Sequence, residues 1–528
     1  MNVKRKFKPF LLVFLAVLLI LSFTISSCTP AATPTEEAVM EEEEAPAEVE
    51  KPAAEVEEPA AEVEEPATEV EEEEAEAVKI VLGVDSGADS EVLRSFPPLI
   101  KDELNIDVEI VSFPVDKIYE TVMLNLSSGA ETFDIVGFNP YMIGDFGPYL
   151  ESLENVGDLE DLDLDDVVPA FRNNYSFWDG KRVGMMYDGD MRIFHARKDL
   201  FEDPEEQAAF KEKYGYDLGI PENYEQYLDM AEFFTRPDED LYGTGECTLY
   251  FLVPYWFDRY VDKTYQDSDG AVYGQLFDEN MNPLINGEAG IWALENFKKS
   301  LDYMPPELAK QFEWAEVRNQ FYAGRLAMAP QWTDLSKTGS NPEVSTVVGN
   351  FLFGPLPPGN IAGLADGREW AIPAASQKKE AAFEVLSWLS SAERHGELVA
   401  DTGTWALYDP VRISEYTNPE THFTALAAAD IQQAEDYGEV TLELLSGKSY
   451  PDLDIPGTPR YRKVLVRLFQ EALTGQTSVE DALNQAVEEW NQITDELGRE
   501  KQIEHYRDYI RRMVEQGNWS ADQFEFLQ

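Results

Sequence analysis

Asp179–Phe201 reads DGKRVGMMYDGDMRIFHARKDLF, and the meaning of this stretch decides the fold. Asp179-Gly180 is a turn dipeptide that favours a tight reversal. Val183 to Tyr187 is an apolar run and predicts a buried strand. Asp188-Gly189-Asp190 interrupts it, and Met191 to Ala196 resumes the strand character. On extended backbone Asp188 and Asp190 share one face. Gly189 between them lets a second backbone, or a ligand, come close. Two carboxylates thus stand mid-strand, where Val or Ile is the ordinary occupant. One reading is an acidic surface turn. The other is a crossing between two lobes that presents carboxylates to a polar ligand.

Upstream, Val78 to Val84 predicts a strand and Asp85-Ser86-Gly87-Ala88 a loop. A helix follows over Ser90 to Glu103, with Pro97-Pro98 threatening its middle. Ile106 to Phe113 is a second strand, Val115 to Ser127 a helix, and Phe133 to Phe138 a third buried strand ending in Asn139-Pro140-Tyr141. Strands alternating with helices indicate βαβ units and a mostly parallel sheet. Ligands gather beyond the carboxyl ends of such strands, which puts Asp85 to Ala88 and Asn139 to Tyr141 on one rim.

Downstream the pattern is mostly helical. Tyr224 to Phe234 has helical apolar spacing, and Glu246 to Tyr260 is dense in aromatics. Asp267 to Gly270 lacks the acidic first and twelfth positions of a calcium loop, where Tyr265 and Leu276 stand, so Asp269-Gly270 is read as a turn. A helix spans Gly287 to Tyr303. Another ends at Gly324, followed by a short strand, Leu326 to Ala329, and Pro330-Gln331-Trp332. Ser376 is expected to cap a helix with an Ala382, Val385, Leu386 and Leu389 face. Two closing helices carry Val464 to Ala472 and Ala482 to Leu497, the second capped by Ser478. Residues from Glu500 to Gln528 have no assigned role.

A chain of 528 residues is long enough for two or three domains. Its net charge of -61 argues against nucleic acid, because phosphates need Lys and Arg. Two cysteines exclude a disulfide framework, and with only four histidines beside them the composition argues against a zinc site. Lys4, Arg5, Lys6 and Lys8 precede an apolar run, Phe10 to Phe23, that is short for a membrane span. The run leads to Ile25-Ser26-Ser27-Cys28, which resembles a bacterial lipobox. Cys28 is then the acylated residue, anchoring the chain outside the cytoplasm at the cell membrane or its outer face. Thr29 to Ala77 contains 20 Glu, no aromatic residue and near-repeats of AEVEEPA. Such a segment cannot bury enough apolar surface to offset ordering entropy and is expected to be a disordered tether. Residues 78–528 still carry a net charge of -46.

Tyr187-Asp188-Gly189-Asp190 followed by Arg197-Lys198-Asp199-Leu200-Phe201 resembles a segment of the extracytoplasmic solute-binding proteins of ABC importers, in the sugar-binding family that includes maltodextrin-binding protein. Further matches occur in order: the helix, Gly-Arg, strand and Trp332; then Arg368-Glu369-Trp370-Ala371-Ile372-Pro373, where the family has glycines at the first two positions; then ALTGQTSVEDALNQA near the end. The resemblance covers Val78 to Leu497 as ordered patches. It implies an α/β, two-lobed periplasmic-binding-protein-like fold (type II) with interlobe hinge strands. Residues 78–189 and 371–430 would form the first lobe, 190–370 the second, and 431–528 helices packing across both.

It also implies a monomer that binds a sugar or oligosaccharide in the interlobe cleft and serves a permease, with no catalysis, cofactor or metal. Sugars offer apolar C–H faces and many hydroxyls, so a site wants flat aromatics and carboxylates. The candidates are Asp188, Asp190 and Glu369 for hydroxyls, and Tyr141, Trp256, Trp332, Trp370, Trp405 and Tyr461 for stacking. The alternatives are a carbohydrate-binding surface lipoprotein not tied to transport, or a glycosidase. A glycosidase needs two placed carboxylates, and no spacing here selects a pair.

Overall fold

The computed structural model describes residues 77–86, 91–307, 309, 312–364, 367–400 and 408–528. The expected leader, Cys28, all but the last residue of the tether, and Trp405 lie outside these residues. The chain opens with three strands, β1 (Val78–Asp85), β2 (Ile106–Phe113) and β3 (Ile135–Phe138). A two-stranded ribbon follows, β4 (Phe177–Trp178) with β5 (Lys181–Arg182), then β6 (Gly184–Asp188) and β7 (Met191–Arg197). Next come β8 (Tyr242–Thr244), β9 (Leu326–Trp332), β10 (Phe351–Gly354), β11 (Ile361–Leu364), β12 (Arg368–Ala371) and β13 (Lys448–Tyr450).

These strands form two larger sheets. The first has the order β2-β1-β3-β12-β6, the second β13-β11-β7-β9-β8 with β10 also pairing β7. In the first, β1 pairs β2 and β3 in parallel, while β12 runs antiparallel between β3 and β6. Ile80, Leu82 and Val84 alternate along β1 into the core, as period-two side chains must.

Helix Glu91–Leu104 passes straight through Pro97 and Pro98. A mid-helix proline costs about 3 kcal/mol. Here Leu93, Phe96 and Ile100 line one fully buried face, and each such side chain contributes roughly 1.5–3 kcal/mol. Tertiary packing therefore outweighs the local penalty. Ser376 does not cap its helix directly. Helix Lys379–Ser390 begins three residues later, and the Ser376 hydroxyl donates to Asp134 (2.8 Å) while accepting from the Lys378 N–H (3.2 Å) just ahead of the helix.

Consecutive strands β6 and β7 belong to different sheets, so the chain changes lobes at Gly189-Asp190. It returns between β11 and β12. Helices Thr458–Leu473, Val479–Leu497 and Arg499–Glu515 close the chain. The last of these buries Tyr506, Ile510 and Met513. Its Arg512 pairs with Asp454 and donates to the Asn174 carbonyl (3.2 Å), while the Trp519 indole beyond it donates to the Tyr273 carbonyl (3.0 Å). Residues 499–528 thus fasten segments that precede and follow the lobe crossing.

Candidate functional site

Three passes of the chain meet where the lobes join. β6 ends at Asp188, whose register partner on β12 is Arg368. The third pass is Asp409-Pro410. The Gly189 N–H donates to the Asp409 carbonyl (3.0 Å), and the Asp409 N–H donates to Asp188 Oδ1 (2.8 Å). A Cβ at position 189 would lie 2.1 Å from the Pro410 carbonyl oxygen, so only glycine fits this approach.

Arg368 is the hub. Its Nε reaches Asp85 Oδ2 at 2.9 Å, and its Nη1 reaches Asp188 Oδ2 at 2.6 Å and Asp190 Oδ2 at 3.7 Å. Two further buried pairs stand alongside, Lys337–Asp409 (3.0 Å) and Arg318–Asp334 (2.8 Å). Burial disfavours the charged carboxylates. It pushes Asp188 up to about 6 against the pull of Arg368, and Asp334 up to about 7 against Arg318. Asp190 is raised well above the usual range, first by burial and then by the neighbouring Asp188.

Beside this cluster lies a cavity of about 180 Å³. Val115, just past β2, and Asn139 and Tyr141, just past β3, line it from the first lobe. These are carboxyl ends of parallel strands, where the topology leaves a crevice. Tyr250, Phe251, Trp314, Trp332 and Asp334 line it from the second lobe, and Asp190 and Arg368 from the crossings. The site offers flat aromatic faces beside carboxylates, an amide and a guanidinium. Such a set can cover apolar C–H faces and bond hydroxyls or amines.

Of the residues singled out in the sequence, Asp190, Tyr141 and Trp332 meet at this cavity. Asp188 is 1% exposed and sits behind Arg368, which it orients. Trp370 does not line the cavity. It is 1% exposed and stacks on Tyr187, ring centroids 3.5 Å apart. Glu369 points into the other buried layer, accepting a bond from the Ser176 hydroxyl (2.5 Å), and burial pushes it up to about 8. The reason is common to both: β12 lies inside the first sheet with both faces covered, so alternate side chains enter core on either side. Trp256 is core in helix Leu252–Asp267, its indole donating to the Gly290 carbonyl (3.1 Å). Tyr461 is likewise buried, its hydroxyl bonded to Thr494 (2.9 Å).

Sequence reasoning missed Arg368, Tyr250, Phe251, Trp314 and Asp334 as cavity residues. The departure from glycine at Arg368 and the aromatic density of Glu246 to Tyr260 were the available signals.

Residues 87–394, more than half the chain, match the family model of bacterial extracellular solute-binding proteins, and the chain belongs to that family. Its members are binding proteins rather than enzymes. A curated relative, a probable amino-acid ABC transporter periplasmic-binding protein of Sinorhizobium fredii, is 23% identical over 347 residues, 65% of this chain and 74% of its own length. Among solved structures, an ABC transporter solute-binding protein of Agrobacterium radiobacter in complex with ribitol has a TM-score of 0.66 at 21% identity, covering 79% of this chain and 98% of that one. Maltose-bound MalE3 of T. maritima has a TM-score of 0.62 at 22% identity, covering 79% and 100%. The fold is the two-lobed one of these binding proteins.

Proposed function

We propose that the protein is a lipid-anchored receptor that captures a small hydroxylated solute, a sugar or polyol, in the interlobe cleft and delivers it to an ABC-importer permease. The observation that carries this reading is the cavity itself, with Tyr141, Trp314 and Trp332 beside Asp190 and Asp334, drawn from both lobes. Ligand contacts to both lobes favour the closed form, which is how binding couples to hinge movement. The cavity, about 180 Å³, is smaller than the roughly 300 Å³ at which drug-sized pockets begin. That favours a monosaccharide-sized ligand over an oligosaccharide. Solved neighbours hold ligands of this size, ribitol, D-mannitol and alpha-D-tagatose, and also larger ones, maltose, acarbose and cycloalternan.

Asp190, Tyr141, Trp332 and Asp334 are the direct contacts in this reading. Asp188, Glu369, Trp370, Trp256 and Tyr461 act by holding the walls. Trp405 stays a candidate contact beyond the described residues. Residues 78–189 with 368–430 and residues 190–364 would be the two lobes, the second crossing falling before β12 rather than after Trp370, bridged by 431–528, and the receptor would act as a monomer. Cys28 would carry the lipid, with residues 29–77 as a tether.

The test is isothermal titration of the secreted Cys28→Ser chain against sugars, polyols and amino acids. Binding of a sugar or polyol, lost in Trp332→Ala, is the expected result. Binding of amino acids alone would refute the reading. Cys28→Ser should also release the protein from membranes, and retention with normal processing would refute the anchor.

A further inference from the structure

Among the described residues, the carboxylates around the crossing outnumber the cations paired with them. Arg368 is encircled by Asp85, Asp188 and Asp190, one guanidinium among three acids. Its two short contacts serve Asp85 and Asp188. Asp190, at 3.7 Å, receives no hydrogen bond to its side chain from the described residues, and it faces the cavity. Asp334 follows the neighbouring strand end, where the Thr333 N–H donates to the Met191 carbonyl (3.0 Å); it is 2% exposed, pairs with Arg318, and its Oδ1 has no hydrogen-bond partner among the described residues. The other cations nearby do not offset this excess, because each has its own acid: Arg318 pairs with Asp334, Lys337 with Asp409, Arg192 with Asp258 and Arg462 with Asp452.

The cavity walls also suit a cation. Arg462 lies over the Tyr141 ring at 4.1 Å, Arg318 over Trp314 at 4.2 Å and Arg192 over Trp332 at 5.7 Å. These faces are taken by the protein's own guanidinium groups, whereas Tyr250 and Phe251, the other rings of the cavity, have no cation over them among the described residues and can attract a ligand cation by the same quadrupole. A neutral hydroxyl would bond Asp190 but leave the charge excess in place. An anion would be repelled by it. A bare metal ion suits aromatic walls poorly, and no cluster of three or more metal-ligating side chains occurs among the described residues.

We propose that the ligand carries a protonated amine, seated between Asp190 and Asp334, so that the cleft selects a small amino sugar or amino polyol over its neutral counterpart. This rests on the cleft being the ligand site. The raised affinities of Asp190 and Asp334 for protons agree with it, since burial and the neighbouring Asp188 and Asp409 make ionising them costly and a ligand cation would offset that cost.

The experiment is titration calorimetry of the secreted Cys28→Ser chain with two matched pairs, glucosamine against glucose and glucamine against sorbitol. At pH 7.5 the amine of at least one pair should bind about tenfold tighter or more than its neutral partner. Asp190→Asn should bring that ratio close to one. Between pH 7.5 and 5 the amine should weaken as the carboxylates protonate, with the neutral partner little changed. A neutral partner that binds as tightly as its amine overturns the proposal while leaving the sugar or polyol receptor intact. An amine preference that survives Asp190→Asn also overturns it. Failure of all four compounds to bind overturns the proposal together with the small-solute reading.

Discussion

The phenolic oxygens of Tyr141 and Tyr250 lie 3.3 Å apart and join the two lobes by a hydrogen bond across the cleft. Tyr141 follows the third strand of the first sheet and is buried, while Tyr250 is 40% exposed at the cavity edge. A bond that a hinge opening of the lobes would separate is the kind of contact that shifts a conformational equilibrium.

Tyr250→Phe keeps the ring and removes the bond. One neutral hydrogen bond contributes about 1 kcal/mol, or roughly fivefold in an open–closed ratio. The ligand-free variant should scatter X-rays with a larger radius of gyration, and its ligand affinity should fall by up to about fivefold. An unchanged profile with unchanged affinity would show that the bond has no share in closure.

The two central tryptophans should behave oppositely. Trp370 is sealed in the first lobe against Tyr187, so Trp370→Ala should cost about 3–5 kcal/mol of stability. Once folded, that variant should bind ligand within about threefold of the parent. Trp332→Leu should lose about tenfold in affinity, because Trp332 is a wall of the cavity. Urea unfolding without ligand and calorimetry with it separate the two outcomes.

Arg368→Met leaves Asp85, Asp188 and Asp190 clustered without their shared guanidinium. Breaking a buried pair in this way costs about 3–5 kcal/mol. The loss should be largest at pH 8 and smaller at pH 5, where the carboxylates take up protons. Denaturation midpoints at both pH values check this, and a loss independent of pH would assign Arg368 a packing role instead.

Glu369 provides a second pH signature. Its folded value is raised from 4.5 to about 8 by burial, so the folded state holds this proton more tightly than the unfolded one. Stability from this group is therefore fully present below about pH 4.5 and is lost as pH rises through about 8, by up to about 1.4 kcal/mol per pH unit. Glu369→Gln removes that loss and can still accept from the Ser176 hydroxyl. The variant should match the parent near pH 4 and be more stable at pH 8, with ligand binding retained. Parallel stability curves for the two proteins would contradict this.

Much of the framework was legible along the chain. A buried strand must be an apolar run, so β6 and β7 stood out at Val183 to Tyr187 and Met191 to Ala196. A glycine between two aspartates marked the place where the chain leaves one sheet, and the structure shows why glycine is needed: the Pro410 carbonyl fills the space of a side chain. Gly324, at φ 77°, ends its helix as a left-handed residue, again a local requirement written in a local residue.

Local pattern does not say which buried layer covers a strand, and there tertiary structure alone decided. Glu369 and Trp370 look like rim residues in sequence, yet β12 lies between β3 and β6, so both enter core. Arg368 finds Asp85 from 283 residues away, and no spacing encodes that meeting. Trp314, Tyr250 and Asp334 become one cavity wall only when the second lobe folds around β9. Secondary structure rests on neighbours a few positions apart, whereas the site is assembled from strand ends and loops whose proximity depends on packing the whole chain.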